Sequence, residues 1–554
     1  MRGRWHWAIP AGVTLCFLAP ILFTDRTFAS DWGNHYWLIY MQGQNIGALG
    51  EPSIYLQSTI GAFYPYYAFY GGTFYAVTGF ISYVFDTDLA VLVATAGAIL
   101  ANYLGWTWMA RQAGVTGWRM QLPGLIAATA PLAVSNLYGR GGIPELIGTS
   151  MLPLVAAAAI SLVREPRLRA RDMVAFVVSL VFLTGSHALS MVWGLALLAV
   201  LGALLVACYW PFVKQRAMRL LAVAWLAVLA GAINAWMLIP TIVFRDKTIE
   251  TEPDPISQTA YSDAGNLFRV LRDLPSPYEW VHADVQPALP VLALIWALAC
   301  GAIAWRIAAP RMRALGIGLA TVLAGLVAVI LHPPLLEGLP EVLQYVQFPY
   351  RIVTFAGFCV VGLVTVVLAT LERSEWRPPW AFPALVALVA IAAFNFAISV
   401  KQISDVRSWL PGGRAEALAS SVQPPPSWYA IIQFGDGAAP VIEPSLPDPL
   451  LVPVEEGIRD SYTVEYPPGP AGTAQTNIDT GDYLVDVEGA TPVGRNEAGQ
   501  MIVRLPASPE EPRTVTVSGE DSSTLVVSRW VTVLSLLGSL IALGGYAVVR
   551  RRFR

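Results

Sequence analysis

About a dozen apolar runs of roughly 18 to 25 residues, separated by short charged clusters, leave this chain few folds to choose from, because each run matches the thickness of a hydrocarbon core. The 554 residues are 55% hydrophobic and only 13% charged, which makes a polytopic α-helical membrane protein the expected class. The first run, roughly Trp7 to Phe23, could be a secretory signal cut near Thr27-Phe28-Ala29-Ser30. With so many apolar runs behind it, an anchor is the better reading. Cys16, Cys208, Cys300 and Cys359 all lie inside apolar runs and read as small buried hydrophobes, not as disulfides or thiolate ligands.

Charge placement sets an expected topology. Basic clusters at Arg2/Arg4, Arg111/Arg119, Arg164 to Arg171, Lys214 to Arg219, Arg306 to Arg313, Arg373/Arg377 and Arg550 to Arg554 mark the cytoplasmic side. Placing all of them inside takes about twelve crossings, with both termini cytoplasmic. The stretch from Gly61 to Phe85 must then not cross. It is dense in Tyr and Phe and broken by Pro65 and Gly71-Gly72, which suits an interfacial or re-entrant segment. The alternative is a true crossing with inverted topology downstream.

The domains expected are a transmembrane part over residues 1–399, with extracytoplasmic loops 25–88, 245–286 and 332–349, a separate region 400–528, and a final span with a basic tail over 529–554. Lys401 to Asp521 carries 7 basic and 18 acidic residues, a net charge of −11. Its later part alternates, as in Tyr483 to Val487, Met501 to Leu505 and Thr514 to Val517, with turns between, so a small extracytoplasmic β-rich domain is expected before the last span. Its bland role is a structural lid; sugar binding is the alternative. No internal repeat of the transporter kind is visible.

Four polar motifs fall on the extracytoplasmic side of this topology. Ser30-Asp31-Trp32-Gly33-Asn34-His35 opens a short amphipathic helix in which Asp31 and His35, four residues apart, share a face. A carboxylate beside an imidazole at a low-dielectric boundary suits a general base, while the bland reading of Asp31 is a helix cap. Tyr138-Gly139-Arg140-Gly141-Gly142-Ile143-Pro144-Glu145 places two charges at the boundary, where partners are expected. Arg140 and Glu145 either face a cavity or pair with each other. Thr184-Gly185-Ser186-His187 forms a hairpin in which His187 is either a substrate contact or an interfacial residue. Gln347-Phe348-Pro349-Tyr350-Arg351 leads into a span, and Arg351 offers a fork of donors suited to phosphate oxygens, or else a snorkelling anchor. In loop 245–286, Tyr278-Glu279-Trp280 has the aromatic and carboxylate groups that suit a sugar acceptor. No P-loop, HExxH or zinc-spaced Cys/His cluster is present.

A first span, then an Asp on a helix, then an aromatic juxtamembrane stretch resembles the integral-membrane glycosyltransferases of the GT-C fold. SDWGNH, YGRGGIPEL, QFPYRIVTF and the tail NEAGQMIVRLP resemble more closely the YfhO-type group, which includes membrane proteins labelled as related to 6-pyruvoyl-tetrahydropterin synthase. The resemblance implies a GT-C-like architecture, a polyprenyl-phosphate sugar as donor, and Asp31 as catalytic base. Arg351, and Arg140 with it, then contact the donor phosphate, and Glu145 faces the cavity. His35, Gln347 and Tyr350 join the expected site. The first loop has no DxD or DxE, and Asp86-Thr87-Asp88 comes late, so no cofactor is certain and a divalent metal is left open. The expected function is sugar transfer to an extracytoplasmic glycan, lipid or protein in envelope biosynthesis at a bacterial plasma membrane, with membrane lipids and no nucleic acid as partners. The competing class is a non-catalytic membrane protein, either a lipid-linked glycan transporter or an envelope-assembly scaffold. A transporter should carry ionisable groups at mid-bilayer depth, whereas the polar candidates here are mainly Asn234 and Asn395.

Overall fold

The computed structural model describes residues 7–28, 30–57, 63–244, 264–270, 288–344, 346, 348–373, 379–404, 412–419, 443–446, 461–476, 485–496, 500–519 and 523–552. Among them seven helices are long and apolar enough to cross a membrane: Thr87–Ala113, Ile143–Arg164, Ala188–Cys208, Pro310–Leu331, Pro349–Arg373, Ala381–Ser404 and Ser523–Gly544. An eighth is added if Ala217–Ile233 and Ala235–Val243, bent by 73° at their junction, make one span.

The remaining runs of the expected twelve are helical but shorter. Ala8–Phe23 and Val291–Ala304 are apolar helices below spanning length, and Ala170–Ser186 has 17 residues. The third run departs most from expectation. Its helix Gln121–Ala128 has 8 residues, then breaks before Pro131, which lacks the N–H a continuing helix would use. The chain goes on through a short turn and a π-helical turn, Ser135–Arg140. The aromatic stretch likewise forms no long helix among its described residues: Phe63–Tyr64 pairs with Leu56–Gln57, Tyr66–Phe69 is one turn, and Gly72–Val84 has 13 residues.

Asn234 occupies the 73° bend. Its amide donates to the Val181 carbonyl and the Thr184 hydroxyl, both at 2.8 Å, and accepts from Thr73 at 2.7 Å. A fully satisfied side chain at a helix break is what a buried polar group requires, so Asn234 acts as a structural plug.

The helix Ser30–Leu49, expected at the surface, is enclosed by protein: Trp32, Trp37, Leu38, Ile39 and Met41 are all buried. It crosses Gly72–Val84 closely, because Gly43 faces Gly79 and a Cβ on either would crowd the other helix. The two most enclosed spans are Pro349–Arg373 and Ile143–Arg164, with 83% and 72% of their apolar windows buried, against 11% for Ser523–Gly544. Both begin at the polar cluster described below.

Near the C-terminus, two three-stranded antiparallel sheets pack together. One orders Ser461–Tyr466, Arg513–Gly519 and Val485–Glu488; the other orders Gly472–Gln475, Met501–Leu505 and Thr491–Arg495. Val464, Val515, Val517, Ala474, Val503 and Leu505 fill the space between them in the alternating pattern read from the sequence. Tyr55 joins this core from the first loop.

Candidate active site

Asp31 stands in the first turn of Ser30–Leu49, where the positive end of the helix dipole favours a carboxylate. Arg140 closes the π turn, and Gly141 follows it in the left-handed region at φ +83°. That turn sends the chain straight into the next helix, whose first turn holds Glu145. Arg351 arrives from far along the chain on the 3-10 turn Pro349–Ile352 that leads into the most enclosed span.

These four side chains form one cluster. Arg140 makes a direct ion pair with Glu145 through Nη1 and lies 3.3 Å from Asp31 Oδ2 through Nε. Arg351 Nε lies 3.7 Å from the same Glu145 oxygen. Asn136 completes the arrangement, donating to Glu145 Oε1 at 3.2 Å and accepting from Arg140 at 3.4 Å. The pairing of Arg140 with Glu145 is thus real, and both also belong to a larger network.

Exposure separates the two acids. The Glu145 side chain is 1% exposed and fully engaged, whereas that of Asp31 is 17% exposed, with Arg140 its one cationic partner in contact among the described residues. Burial raises the Asp31 carboxyl above the ordinary carboxylate range, with Glu145 adding to the rise and Arg140 and Arg351 opposing it. Asp31 is therefore the more accessible and more proton-avid of the two acids, and Glu145 pairs with both arginines.

The imidazoles are arranged differently from expectation. His35 Nδ1 meets Tyr75 Oη at 2.6 Å, and its ring stacks on Tyr70 at 5.7 Å; its side chain makes no hydrogen bond to Asp31. His187 Nδ1 accepts the Leu189 N–H at 3.2 Å, so the neutral ring carries its proton on Nε2, which is buried without a partner among the described residues. Tyr70 meets His187 edge-on at 5.1 Å and so separates the two rings. Burial, then the positive charges nearby, hold His35 well below the usual imidazole range, and burial takes His187 down to about 3. Burial also pushes the Tyr70 phenol up to about 12. The wall is neutral: two imidazoles and a phenol that keeps its proton.

Of the other expected residues, Tyr350 is fully buried beside Arg351; Gln347, Tyr278, Glu279 and Trp280 lie outside the described residues. Asp86 caps its own helix, accepting from the Leu89 N–H at 2.6 Å. Asp88 accepts from Tyr36 at 2.9 Å and Arg414 at 2.7 Å. The late Asp86-Thr87-Asp88 is thus a structural junction. Sequence reading missed Asn136, Tyr70 and Tyr75; Asn136 stands four residues before Arg140, the helical spacing that brings side chains together.

Beside the cluster lies a small cavity of about 70 Å³, between the spans Thr87–Ala113, Ile143–Arg164 and Pro349–Arg373. Trp106, Leu146, Val353 and Phe358 give it apolar walls, and Asn136 brings the polar network to its edge.

No family model and no curated protein matches the chain. Solved structures of an oligosaccharyltransferase from Archaeoglobus fulgidus are similar to it. One is archaeal oligosaccharyltransferase AglB in complex with an inhibitory peptide and a dolichol-phosphate, at 12% identity and a TM-score of 0.41; the other is an apo form, at 12% and 0.39. Each match covers 73% of this chain and 56% of the other, so this chain spans little more than half the length of the structures it matches. At that level of likeness, activity has to be argued from the side chains of the site.

Proposed function

We propose that this chain is a membrane glycosyltransferase of GT-C-like architecture, close to the YfhO-type group. In this reading it moves a sugar from a polyprenyl-phosphate donor to an extracytoplasmic glycan, lipid or protein acceptor at a bacterial plasma membrane. The observation that carries it is the exposure contrast: Asp31 is the accessible acid of a cluster whose other charges, Arg140, Glu145 and Arg351, are almost wholly buried.

Asp31 takes the proton of an acceptor hydroxyl as its oxygen bonds to the anomeric carbon. The bond from that carbon to the phosphate oxygen breaks, and the lipid phosphate leaves with the electron pair. Arg351 and Arg140 face the growing phosphate charge, held in place beforehand by Glu145, which is the condition under which electrostatic stabilisation is most effective. His187 Nε2–H offers the ligand a neutral donor.

The deciding experiment uses purified protein in liposomes with radiolabelled polyprenyl-phosphate sugar. Transfer by the native protein and its loss in Asp31→Asn support the reading. Transfer that survives the substitution removes Asp31 from the mechanism, and translocation without transfer turns the assignment to a transporter.

A further inference from the structure

Arg414 lies far from the polar motifs in sequence, in a region whose strongest signals are prolines and acids, yet it is almost fully enclosed, with 8% of its side chain exposed. It belongs to the short helix Gly413–Ala419, which rests on the start of Ser30–Leu49. Gly413 makes the approach feasible: its φ is +63°, and a Cβ there would lie 2.0 Å from the Asp25 carbonyl oxygen.

The two terminal nitrogens of the guanidinium are both engaged. Nη2 donates to the carbonyls of Ile21 at 2.7 Å and Thr24 at 3.0 Å, groups that the end of the first helix leaves without a helical partner. Nη1 donates to Asp88 at 2.7 Å, Nε lies 4.0 Å from Asp25, and the group sits 5.5 Å over the Trp32 ring. Asp88 in turn accepts from Tyr36, whose ring stacks on Trp32 at 5.3 Å. One cation thus ties the end of the first helix, the start of the Thr87–Ala113 span and the first turns of the helix that bears Asp31. On its other side, the Trp32 backbone meets Gly141, next to Arg140.

We propose that Arg414 is a positioning residue for Asp31: it clamps Trp32 against Gly141 and so fixes the distance between Asp31 and Arg140. The inference rests on the reading of Asp31 as the base. A lysine offers a single point charge and cannot reach two carbonyls, a carboxylate and a ring face together, so the planar fork itself is required.

The test uses full-length protein with Arg414→Lys and Arg414→Ala. Hydrogen exchange read by mass spectrometry should rise at least about tenfold over residues 24–36 in Arg414→Ala while distant spans keep native protection. Labelling of Asp31 by a hydrophobic carbodiimide, which reacts with the protonated acid, should reach its midpoint at lower pH in that variant, as water enters the pocket shared with Arg140, Arg351, Glu145 and Tyr70. In the transfer assay kcat should fall about ten- to a hundredfold with the donor KM within about twofold, and Arg414→Lys should recover only part of the loss. Exchange that rises throughout the chain, an unmoved labelling midpoint, or an unchanged kcat overturns the proposal. If the native protein transfers no sugar, the glycosyltransferase reading fails, while exchange and labelling still decide whether Arg414 positions Asp31.

Discussion

Gly141 presses its backbone against that of Trp32, so closely that a Cβ at Gly141 would lie 2.3 Å from the Trp32 nitrogen and 2.7 Å from its Cα. The residues that follow and precede this contact, Gly142 and Arg140 on one strand of chain and Asp31 on the other, take their spacing from it. Gly141→Ala meets both a backbone clash and a left-handed φ of +83°. It should lower stability by about 1–3 kcal/mol and transfer by more than that loss explains. Thermal unfolding in detergent, run beside the liposome assay, checks both.

Asp31→Asn keeps the shape of the side chain and its place beside Arg140 but removes the proposed base. Transfer should drop by roughly 10² to 10⁴, with binding of the polyprenyl-phosphate donor retained. Equilibrium binding of labelled donor separates this outcome from a misfolded variant, which would lose both.

Acid should silence the proposed transfer at a higher pH than an ordinary carboxylate base would. Burial raises the Asp31 value, and a base must be ionised, so activity is present above the raised value and falls as pH drops through it. The stability contribution has the opposite sign: a folded-state value above the unfolded one favours folding at low pH, and that contribution is lost as pH rises through the folded value. His35 and His187 stay neutral across this range. A pH–rate profile should therefore show a single acidic limb that belongs to Asp31, absent from the residual rate of Asp31→Asn.

Glu145→Gln should hurt the fold more than Asp31→Asn does. Glu145 is the shared anion of two enclosed arginines, and removing it leaves Arg140 and Arg351 facing each other without their common partner. Breaking a buried pair in this way costs on the order of 3–5 kcal/mol. Denaturant or thermal unfolding of the two variants side by side tests the ranking; equal losses would refute the division of roles between the acids.

Much of this architecture could be read from residues alone, and the reasons differ by element. Apolar runs announce themselves locally, and the strands around Val487, Val503 and Val515 do so through their alternation. Asp31, Arg140, Glu145 and Arg351 could be picked out because each charge stands at the edge of an apolar run. The partner of His35 could not. The spacing of Asp31 and His35 places their Cα atoms on one side of the helix, but the imidazole turns to Tyr75, forty residues on, whose position depends on how Gly72–Val84 packs. The third apolar run looks continuous by hydropathy, and only Pro131 hints at the break. Arg414 carries no local signal at all, since its value comes from five groups that meet it only in the folded chain.

The π-helical turn Ser135–Arg140 gives the cluster a dependence on arithmetic as well as on chemistry. A π turn holds one residue more than the α turn it replaces, so the guanidinium that bridges Asp31 and Glu145 owes its bearing to a single surplus position in the chain. Tightening that turn to ordinary winding with its residue count unchanged would swing Arg140 by about a quarter of a turn, leaving every charged group present and the constellation dismantled.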